Sequence, residues 1–310
     1  MKKKINYQLK AIEDISNYVY GYRIVSSTIG FNKNIYVLLV DEEPQRIDGM
    51  FVKSKLSDAH TYKVLILDSQ YIFETYIYNQ FFNYHFLQPL QEDKLLLVGA
   101  RTRYYGNNKY DLNGKIVTLD GVDIIEILLG DGIENVQVSK KGKIWTSYFD
   151  EGVFGNYGWN PPVGASGLVA WDEKGNKVFS NNDADICDCY ALNVVNDNQV
   201  WFYYYSDFNL GKIENNEVDF YNPNISGSSG FIVFDNFFLF DAGYSKHNEY
   251  ILLENRGSRG FKTHKTIKFV NEEGKTIKST DRDFRGDMLI LREENKMYQV
   301  HLREIVNDIM

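Results

Sequence analysis

Apolar runs of strand length follow one another along the whole chain, and turn residues separate them. Runs such as 94–98 and 235–239 are rich in β-branched, leucine and aromatic residues, and no apolar stripe at helical spacing lasts three turns. This periodicity predicts an all-β protein. One hairpin type recurs: an apolar strand, an acidic or polar residue, a turn, then a second strand. Residues 168–179 give its clearest copy, with Gly175 placed where a tight hairpin turn requires positive φ. Related hairpins are predicted at 65–73, 110–117, 212–218 and 267–277.

A second hairpin type alternates with the first and ends in a strongly apolar strand. It occurs at 29–38, 90–98, 136–148, 194–202 and 233–240. One hairpin of each type makes a four-stranded antiparallel blade. The acidic anchors Asp68, Asp111, Asp172, Glu214 and Glu272 are spaced by 43, 61, 42 and 58 residues, which implies loops of unequal length. After five such pairs, runs 286–291 and 296–302 stop one strand short of a sixth blade. The N-terminal strand at residues 4–9 is expected to supply the missing outer strand. The prediction is a single domain spanning 1–310: a six-bladed β-propeller of four-stranded antiparallel blades, its last blade closed by the N-terminal strand. Seven blades is the alternative.

The segment from Ser139 to Tyr148 contains Gly142-Lys143-Ile144-Trp145. It resembles the Gly-x-Ile-Trp strand of YVTN/regulator-type propeller repeats, and nearly the whole chain is similar to that broad superfamily in its repeat chemistry. The resemblance implies a fold and carries no catalytic signature. The WD40 pattern is absent, because Trp171-Asp172 is the one Trp-Asp dipeptide. The Asp-box of sialidase-like propellers is absent too, because the interval from Ser139 to Trp145 is one residue too short.

Composition narrows the partners. With 42 acidic against 34 basic residues, a net charge of −8 opposes general binding to nucleic acid. No run approaches 18 apolar residues, and the basic start at Met1 to Lys4 lacks an apolar follow-on, so the expectation is a soluble, cytoplasmic monomer with no membrane partner. Cys187 and Cys189 are too few and too close for a disulfide framework or a standard zinc site. The five histidines are dispersed, and neither a nucleophile elbow nor a phosphate-cradling loop is present. No cofactor and no metal are therefore expected. Asp183, Asp185 and Asp188 hint at a hard-cation site but lack the glycine and distal glutamate of a calcium loop, so a surface acidic turn is expected there.

Function is sought in the loops joining the second and third strands of each blade, which in a propeller share one face. The 150–167 loop combines glycine and proline with Phe154, Tyr157 and Trp159, flat faces suited to stacking a sugar or peptide. Loops 101–108 and 203–209 are expected to join it. The candidate ligand-binding residues are Arg101, Tyr104, Tyr148, Asp150, Tyr157, Trp159, Tyr205 and Asp207, and no catalytic residue is assigned. A third segment, 244–264, carries the basic cluster around Arg256 and Arg259. These features point to a binding propeller that presents aromatic and acidic loops to a protein, peptide or glycan. The alternative is a hydrolase or lyase whose active-site residues converge at the channel mouth, with Asp150, Glu151, Arg101, Asp207 and His264 as the ionisable groups.

Overall fold

The computed structural model describes residues 4–44, 46–47, 51–215 and 217–310. Met1 to Lys3 of the basic start and the turn residue Asn216 lie outside the described residues. The strands form six small sheets of a six-bladed β-propeller, and the chain divides into two compact units, residues 18–189 and residues 1–17 with 190–310. No helix is long and apolar enough to cross a membrane among the described residues.

In the first unit, blade one runs Arg23–Ile29, Ile35–Val40, Lys55–Leu67 and Ile72–Phe82. Blade two runs Phe86–Leu90, Lys94–Val98, Gly114–Thr118 and Asp123–Ile127, and blade three Ile133–Val138, Ile144–Tyr148, Leu168–Trp171 and Lys177–Ser180. The second strands of blades one and two are apolar runs because both their faces are buried. In Lys94–Val98, Leu95 and Leu97 pack with Leu38 and Val64 of blade one, while Leu96 and Val98 pack with Val138 and Ile144 of blade three. The period-2 alternation of a strand thus divides one apolar run between two inter-blade cores.

In the second unit, blade four runs Asp188–Val194, Gln199–Tyr205, Asn209–Glu214 and Glu217–Tyr221, its first two residues counted with the first unit. Blade five runs Phe231–Phe234, Phe237–Asp241, Tyr250–Asn255 and Phe261–Val270, and blade six Asp281–Arg285, Met288–Glu293 and Lys296–His301. The N-terminal segment closes blade six, as expected, but through Ala11–Asp14, which lies antiparallel to Lys296–His301. The strand expected to do so, Lys4–Gln8, instead adds a fifth, parallel strand to blade five, with Lys4 opposite Thr266 and Gln8 opposite Val270. A C-terminal helix, Leu302–Ile309, buries Leu302 and Ile305 in the core shared by blades five and six.

Two predicted hairpins sit elsewhere. The turn of blade two falls at 119–122 rather than around Asp111, which leaves 52 residues from Asp68 to Asp120 and 52 from Asp120 to Asp172. Asp111 is buried and engaged by the Lys55 ammonium at 2.7 Å and the Tyr105 hydroxyl at 2.9 Å. In blade five, the 244–264 segment read as an insertion holds the third strand and the turn at 256–260. Its basic cluster is partly neutralised within the blade, Arg256 and His264 both reaching the Glu254 carboxylate, at 3.1 and 2.8 Å. The predicted 267–277 hairpin is a short return with a single bridge, Val270 to Thr276.

Candidate functional site

Two of the three loops chosen from sequence, 101–108 and 150–167, meet in the first unit, and their polar groups are spent on one another. Residues 150–154 form one helical turn, α1 (Asp150–Phe154), with Asp150 and Glu151 at the end where free amides favour acidic side chains. Glu151 reaches the Arg101 guanidinium at 2.6 Å. The same guanidinium donates to both carboxylate oxygens of the buried Asp131, at 2.9 and 3.0 Å, and lies 4.3 Å from the centre of the Tyr157 ring. A cation held by two carboxylates and an aromatic face is a latch between loops, not an open anion clamp.

Trp159 packs on Tyr104 and Tyr110, with ring centres 5.1 and 5.8 Å apart, and its indole N–H donates to the Thr102 carbonyl at 2.9 Å. The aromatic loop therefore lies down on the 104–110 hairpin, leaving Phe154 as its most exposed ring. Tyr148, expected at the surface, has no exposed area, because its hydroxyl donates to the Leu129 carbonyl within the core. Tyr205 and Asp207 belong to the second unit, where Tyr205 stacks on Tyr190 at 6.3 Å and Asp207 is exposed.

Two features of the first unit carry open chemistry. One is a set of carboxylates. Asp188, expected in a surface turn, is half-buried, and its Oδ1 is buried without a hydrogen-bond partner. Desolvation first, then the charges of Glu134 and Asp150, push its carboxyl up from the usual 3.8 to about 7. Glu134 reaches solvent, yet desolvation also raises its carboxyl. A carboxyl titrating near neutrality can give or take a proton. Asp183 and Asp185 are exposed, and their turn is organised by the Asn181 side chain. Among the described residues no three His, Cys, Asp or Glu side chains are placed to hold a metal ion. Behind Asp188, the Cys189 thiol is fully buried, and that burial raises its pKa and keeps it protonated.

The Asp188 shift has a measurable consequence. The folded state keeps this carboxyl protonated to about pH 7, whereas an unfolded chain ionises it near 3.8. Its contribution is therefore fully favourable below pH 3.8 and is lost as the pH rises to about 7. Asp188→Asn should gain about 1–2 kcal/mol on the wild type between pH 4 and pH 8, the full shift being discounted for partial solvent exposure. Urea titrations at the two pH values check this, and a pH-independent difference would contradict the assignment.

The second feature is a groove of about 1050 Å³ between blades one and two, at the opposite strand ends from α1. Phe31, Tyr36, Phe73, Pro89 and Leu119 give it apolar walls, and Glu92, Asp93 and Asp120 line it with acid. Its shape comes from two turns held together, the Leu119 amide donating to the Asp93 carbonyl at 2.7 Å and the Thr75 hydroxyl to the Leu119 carbonyl at 2.6 Å. The turn between Leu90 and Lys94 has three residues, of which Glu92 and Asp93 adopt left-handed φ of 60° and 53°. Beside the groove wall Phe73, itself 56% exposed, Tyr71, Val122 and Ile124 at the starts of the outer strands also remain about half exposed or more. Sequence reasoning passed over this region because no loop is inserted there. The available signal was the run 122–127, apolar on positions of an outer strand that a solvated edge would make polar.

The class of protein is thus a six-bladed β-propeller, and comparisons agree on the fold. The profile of the YxzG family matches residues 163–300, so that stretch is similar to this family. No curated protein sequence matches the chain. Among solved structures, U3-55K aligns with a TM-score of 0.51 at 10% identity, covering 95% of this chain and 98% of its own. Virginiamycin B lyase from Staphylococcus aureus gives 0.51 at 10% identity over 95% and 99%. YCF48, in a structure with a bound D1 peptide, gives 0.50 at 9% identity over 97% and 98%.

Proposed function

We propose that this protein is a binding propeller that holds a partner protein at the groove between its first two blades. The observation that carries this reading is the groove itself, a large apolar surface rimmed by acid and continuous with exposed rings, whereas Arg101, Tyr157 and Trp159 are consumed by internal contacts. A surface of this kind left uncovered is characteristic of an interaction site. The free cysteines suit a cytoplasmic setting. The test replaces Phe73 with a photo-crosslinking phenylalanine and, in parallel, Tyr20, which is 93% exposed in the same unit. Irradiation in the cells of origin should give discrete adducts from position 73 and none from position 20; equal adducts from both positions, or none from either, would reject the site.

A second reading, an enzyme of the hydrolase or lyase type, is favoured by Asp188 alone, a carboxyl poised near neutral pH beside Glu134 and Asp150. It requires that Asp188→Asn abolish turnover of a substrate while the fold stays intact.

A further inference from the structure

We infer that the occupant of the groove is an extended peptide segment that brings a lysine or arginine to Asp93 and Asp120 and an apolar or aromatic side chain to Phe73 and Leu119. The inference rests on the binding function proposed above and specifies its partner chemistry.

Charge gives the first argument. The groove's lysine, Lys94, is already taken by Glu173 at 2.8 Å and Glu92 at 3.3 Å, and its Glu74 by Lys63 at 2.5 Å. Asp93 and Asp120 both line the groove and make no ion pair with a described residue, and the Leu119 to Asp93 backbone bond ties their turns together. These two acids therefore select a cation, which places the basic residue of the partner.

Size and shape give the second. A volume of about 1050 Å³ exceeds what one side chain or a small amine fills, and the walls carry both apolar and acidic groups. Phe73, 56% exposed on the outer strand of blade one, offers a face to an apolar side chain or a guanidinium. An extended chain places successive side chains on opposite sides, which lets one segment meet both the acidic pair and the apolar wall.

The test uses the full chain and two fluorescein-labelled nonapeptides that share the same leucine and phenylalanine, one carrying lysine and arginine and the other glutamate at the remaining charged positions. Fluorescence anisotropy is read at low and at high salt. The basic peptide should bind at least about tenfold tighter than the acidic one. Asp93→Asn with Asp120→Asn should weaken it about fivefold and remove most of its salt dependence, and Phe73→Ala should weaken it about tenfold. Asp183→Asn with Asp185→Asn removes the same two charges from an exposed turn and should change nothing. Undetectable binding of both peptides, equal affinity for the two, or an equal loss from the Asp183/Asp185 pair would overturn the inference. So would argininamide competing as well as the peptide, which would make this a small-ligand site. The two levels fail separately: crosslinks from position 73 to a segment without lysine or arginine would keep the binding function and reject the basic peptide, whereas neither crosslinks nor peptide binding would reject both.

Discussion

Deleting residues 1–14 should destabilise the second unit by on the order of 5 kcal/mol or prevent its folding, while deleting residues 1–10 should cost about half as much. The shorter deletion removes the parallel strand Lys4–Gln8, the Tyr7 hydroxyl bond to Asp308 at 2.7 Å and the buried Leu9, but leaves blade six complete. The longer one also removes Ala11–Asp14, whose pairing with Lys296–His301 completes that blade. Each loss is of a named kind, apolar area returned to water and strand edges left unpaired. Hydrogen exchange separates the two deletions. Amides of residues 266–270 should lose protection in both, and those of 296–301 only in the longer. Loss at 296–301 in the 1–10 deletion would show that the two strands had been assigned to the wrong blades.

The blades were legible because burial on both faces leaves an unmistakable mark. Ile35–Val40, Lys94–Val98 and Ile144–Tyr148 are strands whose every side chain, or all but the first, is buried, so they are apolar apart from Lys94 and the small Thr146 and Ser147, and the hairpins that contain them were placed correctly. Turn anchors were legible where the side chain bonds its own turn. Asp172 accepts from the amides of Lys174 and Asn176, and Asp68 from those of Gln70 and Tyr71. Asp111 imitated such an anchor, but its carboxylate serves Lys55 and Tyr105, and Lys55 is remote in sequence. The parallel strand at the N-terminus could not be read locally, since no spacing distinguishes a strand that closes one blade from a strand added to the next.

The candidate sites were less legible, for a related reason. The 150–167 loop announced itself by composition, but whether Trp159 faces a ligand or its own chain depends on Tyr104, Tyr110 and the Thr102 carbonyl, some fifty residues away. Asp188 looked like part of an exposed acidic turn because Asp183 and Asp185 precede it; only the first strands of neighbouring blades bring Glu134 near enough to matter. The groove is assembled from turns and strand ends of two blades, each unremarkable alone.

Asp241→Ala should cost the second unit about 3–5 kcal/mol, the amount expected when one member of a buried ionic network is removed. Asp241 has no exposed area, and its carboxylate accepts from the Ser229 hydroxyl at 2.7 Å, the Gly243 amide at 2.7 Å, the His247 ring at 3.0 Å and the Arg282 guanidinium at 2.7 Å. Burial raises its carboxyl, but the Arg282 charge and these hydrogen bonds outweigh that, so its pKa lies below the ordinary carboxylate value. A depressed pKa contributes stability that is present above the unfolded value near 3.8 and is lost as the pH falls through the folded one. The stability gap between wild type and Asp241→Ala should accordingly be constant from pH 8 to pH 5 and shrink below about pH 4. Much of the cost arises from stranding Arg282, which also donates to the His247 carbonyl at 2.6 Å and the Ser229 hydroxyl at 3.0 Å and is largely enclosed. Adding Arg282→Met to Asp241→Ala should therefore recover about 1–2 kcal/mol, a coupling that a double-mutant cycle in urea reads directly. Strictly additive losses would mean that the two side chains stabilise the blades independently and that the network is not a unit.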